Sequence, residues 1–238
     1  MIRAPVLAIL ACLAPPASAC DLALALAVDV SGSVDSEEFR IQMDGLAEGL
    51  RDPLVSEALV RGRANLMLVQ WTGTARQRIT IPWTPIESFA DLEAFAQAVA
   101  NDPRVWRNYS TAIGEALGLV LTAFDEGPDC TRRLIDVSGD GPSNEGIEPA
   151  SLHPELRARG ITVNAIAIEE SEPDLTAYFF ENVITGEGAF VVSAAGFRDY
   201  PSRIRKKLLR EVTQQTASVT GDKIRDHTKT GFGSAPER

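Results

Sequence analysis

Leu22-Ala23-Leu24-Ala25-Leu26-Ala27-Val28-Asp29-Val30, followed at once by Ser31-Gly32-Ser33, is the stretch on which the reading of this chain turns. The first part is a nearly continuous apolar run and the second is a polar turn. A run unbroken by polar alternation suits a strand buried on both faces, as in a parallel sheet. Asp35 and Glu38 then stand at the spacing of a capping box in its aspartate variant, and Phe39, Met43, Leu46 and Leu50 follow at helical spacing. The segment reads as strand, loop and helix, with the polar turn at the C-terminal end of the strand.

Moving outward, the same pattern recurs. Ala64 to Trp71 is a second apolar run, and Arg76 to Pro82 a shorter, more polar strand placed at an edge because Pro82 has no amide hydrogen to donate. Phe89, Leu92, Phe95 and Val99 mark one amphipathic helix. Ala112, Ile113, Ala116, Leu117, Val120, Leu121 and Phe124 mark another, whose Gly114 and Gly118 suit close approach to a sheet. Leu134 to Val137 is a strand that breaks at Ser138-Gly139-Asp140-Gly141. A helix is predicted from Pro149 to Arg159 with Gly160 after its end, a strand over Ile161 to Ile168, a short helix over Leu175 to Phe180 and a strand over Ala189 to Val192. Ile204, Leu208, Leu209 and Val212 mark the last helix. Alternating strands and helices predict an α/β fold, a doubly wound, mostly parallel six-stranded sheet with helices on both faces. From Gln214 onward apolar periodicity is lost, which predicts a flexible C-terminal tail over residues 214–238 and a folded unit over 20–213.

The N-terminus reads as an export signal over residues 1–19. Met1-Ile2-Arg3 is a positive start, Ala4 to Ala14 an apolar core, and Ala17-Ser18-Ala19 a small-residue cleavage site before Cys20. The apolar core is shorter than the roughly 20 residues that cross a bilayer. Export to a bacterial periplasm or beyond the cell is therefore expected. A lipid-anchored Cys20 is the lesser reading, because Ala17 stands where that modification needs a large aliphatic residue. Cys12 leaves with the signal. Cys20 and Cys130 remain, and in an oxidising compartment they form a disulfide or stay as two thiols. The formal charge of −10 disfavours nucleic acid and anionic lipid as partners. The basic run Arg203, Arg205, Lys206, Lys207 and Arg210 reads as a solvated helix face.

Ligands of open parallel sheets gather beyond the C-terminal strand ends, where strand order reverses. Three loops here bring oxygen donors to such ends. The first carries Asp29, Ser31 and Ser33; the fourth strand leads to Asp140; and the polar loop Asn108-Tyr109-Ser110 leads into Thr111. Two carboxylates with hydroxyls form a hard-oxygen set suited to Mg²⁺, Ca²⁺ or Mn²⁺ rather than zinc or copper. Neither His153 nor His227 falls in these loops. Each piece alone has a plainer reading: Asp29 as a cap of the next helix, Thr111 as an N-cap, Asp140 as a turn residue. All three in order, at matching strand ends, are more specific. No G-x-G-x-x-G or phosphate-binding loop is present.

Asp29-Val30-Ser31-Gly32-Ser33 resembles the metal-ion-dependent adhesion site (MIDAS) of von Willebrand factor type A domains. Thr111 resembles that family's separate threonine, and Asp140-Gly141 its later aspartate. The resemblance spans about Asp21 to Val212. Cys20 to Leu24, Val137 to Gly141 and Gly188 to Val191 are similar to a bacterial exported branch of uncharacterised function, the DUF1194 type. The resemblance implies Ser31 and Ser33 as inner ligands, Thr111 as a switchable ligand, Asp29 and Asp140 as outer ligands, and Mg²⁺ as the foremost cation, with Ca²⁺ or Mn²⁺ as alternatives. It implies that an acidic residue of a protein partner completes the metal's shell. Its strand order makes the first and fourth strands neighbours, which implies a Cys20–Cys130 disulfide and leaves no sulfur for a lipid. One departure is Asp136, where the family has an apolar residue; Arg132, Arg133 or a polar seam is the expected partner.

The expected function is an exported, metal-dependent binding module of adhesion type. The alternative is a metal-assisted hydrolase of the cell envelope. Against it, no general base stands beside a nucleophile and there is no G-x-S-x-G elbow. A third reading has the metal only stapling the loops. Trp71, Trp83 and Trp106 read as core or loop anchors, and the sequon Asn108-Tyr109-Ser110 as a chance match.

Overall fold

Leucine and alanine alternate along β1 (Cys20–Asp29), and the alternation sorts the two faces of a central sheet. Leu22, Leu24, Leu26 and Val28 join one core with Phe39, Met43 and Leu46. Ala23, Ala25 and Ala27 join a second with Trp71, Ile113, Leu117 and Val120. Both faces are covered, which is why no polar residue interrupts the run. The computed structural model describes residues 20–170 and 172–225, with side chains placed up to residue 213. The export signal read over 1–19, and residues 226–238 of the expected tail, lie outside the described residues.

The other strands are β2 (Asn65–Trp71), β3 (Gln77–Pro85), β4 (Cys130–Gly139), β5 (Ile161–Ile168) and β6 (Val191–Ala194). Their order is β3-β2-β1-β4-β5-β6, and every neighbouring pair is parallel except β2 with β3. The polar strand β3 is an edge, as expected. Helices α1 (Ser36–Arg51), α2 (Pro53–Arg61), α3 (Phe89–Asn101) and α7 (Tyr200–Arg225) supply the first core; α4 (Ile113–Ala123), α5 (His153–Ala158) and α6 (Leu175–Asn182) supply the second. Among the described residues no helix is long and apolar enough to cross a membrane. Cys20 and Cys130 are register partners of β1 and β4, 4.7 Å apart at Cα, and are joined by a disulfide.

Several expectations need correction. Helix α2 is an element the sequence reading lacks: Asp52 accepts from the Leu54 and Val55 amides with Pro53 in the first turn, an ordinary start signal. The stretch 149–159 is a 3-10 turn (Pro149–Leu152) followed by α5. Pro154 lacks an amide hydrogen and is tolerated only in a first turn, so the α-helix begins there. β6 lies at Val191–Ala194 rather than Ala189–Val192. The backbone of α7 is helical to Arg225, beyond Gln214, where the apolar periodicity ends. Gly114 approaches a loop rather than the sheet: a Cβ there falls 2.0 Å from the Ile147 carbonyl oxygen, whereas at Gly118 it meets open space.

Asp136 pairs with neither Arg132 nor Arg133. Its Oδ1 lies 2.5 Å from Lys207 Nζ, which also contacts Glu211 Oε1 at 2.6 Å; Asn164 Nδ2 donates to the same oxygen at 2.9 Å. Asp136 shares its strand face with Leu134, in the core that α7 covers, so Arg133 points to the other side. Arg132 is drawn to the Glu211 carbonyl. The basic run is a largely solvated face with one exception: Arg205, Lys206 and Arg210 are exposed and Arg203 half-buried, Arg205 reaching Asp52 at 2.6 Å, whereas Lys207 is wholly buried. Trp71 is core, while half-buried Trp83 packs on Phe124 with ring centroids 5.2 Å apart.

Candidate metal centre

Parallel register carries the donors to one edge. Asp29 pairs with Trp71 across β1 and β2, Val28 with Ser138 across β1 and β4, and Gly139 with Ala167 across β4 and β5. Asp29 and Asp140 therefore leave adjacent strands at the same level. The chain departs from β1 toward β2 on one side and reaches β4 on the other, so the crevice lies at a switch in strand order.

The loops then close on one another. The Ser31 amide donates to Asp29 Oδ1 at 2.7 Å, the Ser31 and Ser33 hydroxyl oxygens are 3.2 Å apart, and Ser33 Oγ donates to Asp140 Oδ1 at 2.7 Å. The Gly32 amide donates to the Tyr109 carbonyl at 2.7 Å, and a Cβ at Gly32 falls 3.2 Å from that oxygen. Thr111 is held from both sides by Asn144, which accepts the Thr111 amide and donates its own amide to the Thr111 carbonyl, each at 2.9 Å. Asp29, Ser31, Ser33 and Asp140 are thus directly connected, and Thr111 joins through the loop that follows Asp140. The two capping readings are displaced. Helix α1 is capped by Asp35 in a reciprocal box with Glu38. Helix α4 has Ala112 at its N-cap, and Ser143 Oγ accepts from the Ile113 amide at 3.2 Å.

Electrostatics set the character of the site. Asp29 is wholly buried and its Oδ2 has no hydrogen-bond partner. Burial, then the neighbouring Asp140, push its carboxyl up to about 8 against the opposing Ser31 amide. Burial also raises Asp140, against the hydrogen bond from Ser33. Arg104 does not neutralise them directly. Its guanidinium donates to the carbonyls of Val30, Ser31 and Asp35, which fixes the loop, and burial lowers its own pKa. Among the described residues neither aspartate forms an ion pair. Two buried carboxyl groups without an ion pair, beside clustered hydroxyls, fit a hard divalent cation, which would supply positive charge in place of the proton that burial favours. No cluster of three or more His, Cys, Asp or Glu side chains among the described residues is placed to hold a metal; the oxygens gathered here are hydroxyls beside two carboxyl groups.

Sequence reasoning missed the residues that hold the donors. Gln42 donates to the Asp29 carbonyl at 3.0 Å and accepts from Ser138 Oγ at 2.7 Å. Its signal was a polar side chain beside the apolar stripe of α1. Arg104, Ser143 and Asn144 lie in loops and carry no periodic signal.

A family model described as Protein of unknown function (DUF1194) matches residues 19–216. No curated protein matches the chain. Among solved structures it is similar to proximal thread matrix protein 1 of the mussel byssus, with TM-score 0.61 and 20% identity over 79% of this chain and 47% of that one. The same mussel protein with a zinc-occupied MIDAS motif gives TM-score 0.59 and 20% identity over 83% and 48%. A von Willebrand factor type A protein from Catenulispora acidiphila gives 0.56 and 17% over 82% and 43%. The chain spans under half the length of each, and at these identities the likeness is one of fold. The chain belongs to the family described as Protein of unknown function (DUF1194), built on the α/β fold of von Willebrand factor type A domains.

Proposed function

We propose that this chain is an exported, metal-dependent binding module in which Asp29, Ser31, Ser33, Thr111 and Asp140 hold a divalent cation, Mg²⁺ foremost and Ca²⁺ or Mn²⁺ as alternatives. An acidic residue of a protein partner completes the cation's shell. The observation that carries this reading is the Ser31–Ser33–Asp140 chain of contacts beside the buried, partnerless Asp29 Oδ2. The cation contributes positive charge and open coordination for an incoming carboxylate. Around it, Arg104 and Gln42 fix the loop carbonyls, and Asn144 fixes Thr111. The folded unit is residues 20–213, preceded by an export signal over 1–19. The Cys20–Cys130 disulfide favours an oxidising compartment over a lipid anchor.

The test is a pull-down from cell-envelope extract with the wild type and Asp29→Ala, each with Mg²⁺ or EDTA. The expected result is a protein retained only by the wild type in Mg²⁺. Retention that is unchanged in EDTA overturns the reading. Metal-dependent hydrolysis of ester or phosphate substrates, lost in Asp29→Ala, would assign the hydrolase alternative.

A further inference from the structure

Two loops, residues 72–76 and 104–111, form the edge of the metal loop nearest β2 and β3. Thr72 Oγ1 donates to the Ser110 carbonyl at 2.9 Å, the Ala112 amide donates to the Thr72 carbonyl at 3.1 Å, and the Gly32 amide ties Tyr109 to the metal loop. In this corner Ala75 and Asn108 hold φ of 59° and 61°. Asparagine tolerates that conformation whereas alanine does so at a cost; Arg63 and Asp174 hold it elsewhere.

The corner is basic and aromatic. The Arg76 guanidinium stacks 3.9 Å from the centroid of Tyr109, which is 41% exposed, and Arg78 lies 5.5 Å from that of Trp106. Arg107 is exposed beside Arg104. Among the described residues Arg76, Arg78 and Arg107 form no ion pair; Glu145, the carboxylate near Arg76, accepts instead from the Thr74 amide at 3.2 Å. Arg76 Nη1 donates to the Thr74 carbonyl at 3.2 Å, and a guanidinium so tethered and lying on a ring is pre-oriented, with its remaining N–H groups left for a carboxylate. The rim is opposite in sign to the chain's formal charge of −10, so a long polyanion is repelled over most of the surface while a short acidic segment meets attraction at this corner alone.

Resting on the metal-dependent reading above, we propose that the partner is a protein segment with two acidic groups, one for the cation and a second carboxylate for the rim of Arg76, Arg78 and Arg107. The rim then selects among carboxylate-bearing partners, and the cation supplies the common anchor.

The test is selection of a displayed random-peptide library on the immobilised protein in Mg²⁺ with elution by EDTA. Variants are Arg76→Gln/Arg78→Gln/Arg107→Gln, the matching Arg→Lys triple and Asp29→Ala. Eluted peptides should carry paired acidic residues. The Gln triple should hold them about tenfold more weakly, as three exposed charge pairs allow, and the deficit should shrink in high salt. The Lys triple should recover part of the binding, and unchanged melting temperatures exclude misfolding. Peptides with one acidic residue, held equally by the wild type and the Gln triple, overturn the rim assignment and leave the metal reading intact. So does a rim that retains anionic vesicles or oligonucleotides in place of peptides. Absence of EDTA-eluted peptides, or their equal retention by Asp29→Ala, overturns the metal-dependent reading itself.

Discussion

A carboxylate withdrawn from water must find positive charge, hydrogen bonds or a proton. Asp29 is where this chain meets that constraint most sharply, since its Oδ2 has none of them from the protein. Gly139 makes room for it: a Cβ there falls 3.1 Å from Oδ2, tighter than ordinary contact. Gly139→Ala should therefore displace Asp29 and weaken Mg²⁺ binding about tenfold, in line with a modest overpacking penalty. Gly141→Ala, where a Cβ meets nothing within 4 Å, should bind as the wild type does. Calorimetric titration of both variants with Mg²⁺ checks the contrast; equal affinities would remove Gly139 from the site's design. In the wild type, Mg²⁺ at about 100 times its Kd should add about 2.7 kcal/mol of stability, which EDTA withdraws.

At the scale of elements, α7 is fastened to the sheet by more than its apolar stripe. Ile204, Leu208 and Val212 bury as the periodicity foretells, but between them Lys207 reaches Asp136 of β4 and Glu211 of its own next turn. Removing the single ammonium strands two buried carboxylates. Lys207→Met should cost about 3–5 kcal/mol in urea denaturation. The triple variant Asp136→Leu/Lys207→Met/Glu211→Gln, which removes every charge together, should regain most of that loss. A small effect of Lys207→Met alone would mean that the cluster does not clamp the helix.

Over the fold as a unit, two features outside the candidate metal centre bear on stability. The disulfide joins residues 110 apart in sequence, and chain entropy gives such a loop about 4–5 kcal/mol. Its reduction should lower the melting temperature by about 10 °C for a domain of this size, measured with and without reductant and in Cys20→Ser/Cys130→Ser. The second device is protonic. Burial first, then Asp136, lift Glu211 to about 7 from an ordinary 4.5, with Lys207 and Asn164 opposing. The folded state therefore holds more protons than the unfolded state between about pH 4.5 and 7. Stability from this group is present at the acid end of that window, falls as pH rises through it, and is level above, with a ceiling of about 3 kcal/mol. Glu211→Gln should lack this fall. Denaturation of both proteins at several pH values, compared as a difference, tests the sign.

Residue order alone sets the strand–loop–helix opening, the alternation that makes a doubly wound sheet, and the residue types that gather at its C-terminal edge. These are properties of period and order, and Leu22 to Ser33 displays both within a dozen residues. The start of helix α2 is also written locally, in Asp52-Pro53. It took the folded chain to show that Lys207 answers Asp136, that Gln42 and Ser138 support Asp29 from inside the core, and that Arg76 and Tyr109 meet beside the loop of Ser31 to Ser33. Those pairings join residues distant in sequence whose types carry no periodic signature. Apolar burial is non-directional and can be inferred from spacing alone, whereas a buried charge is satisfied only by a specific partner at a specific distance, and that partner exists only once the chain has folded.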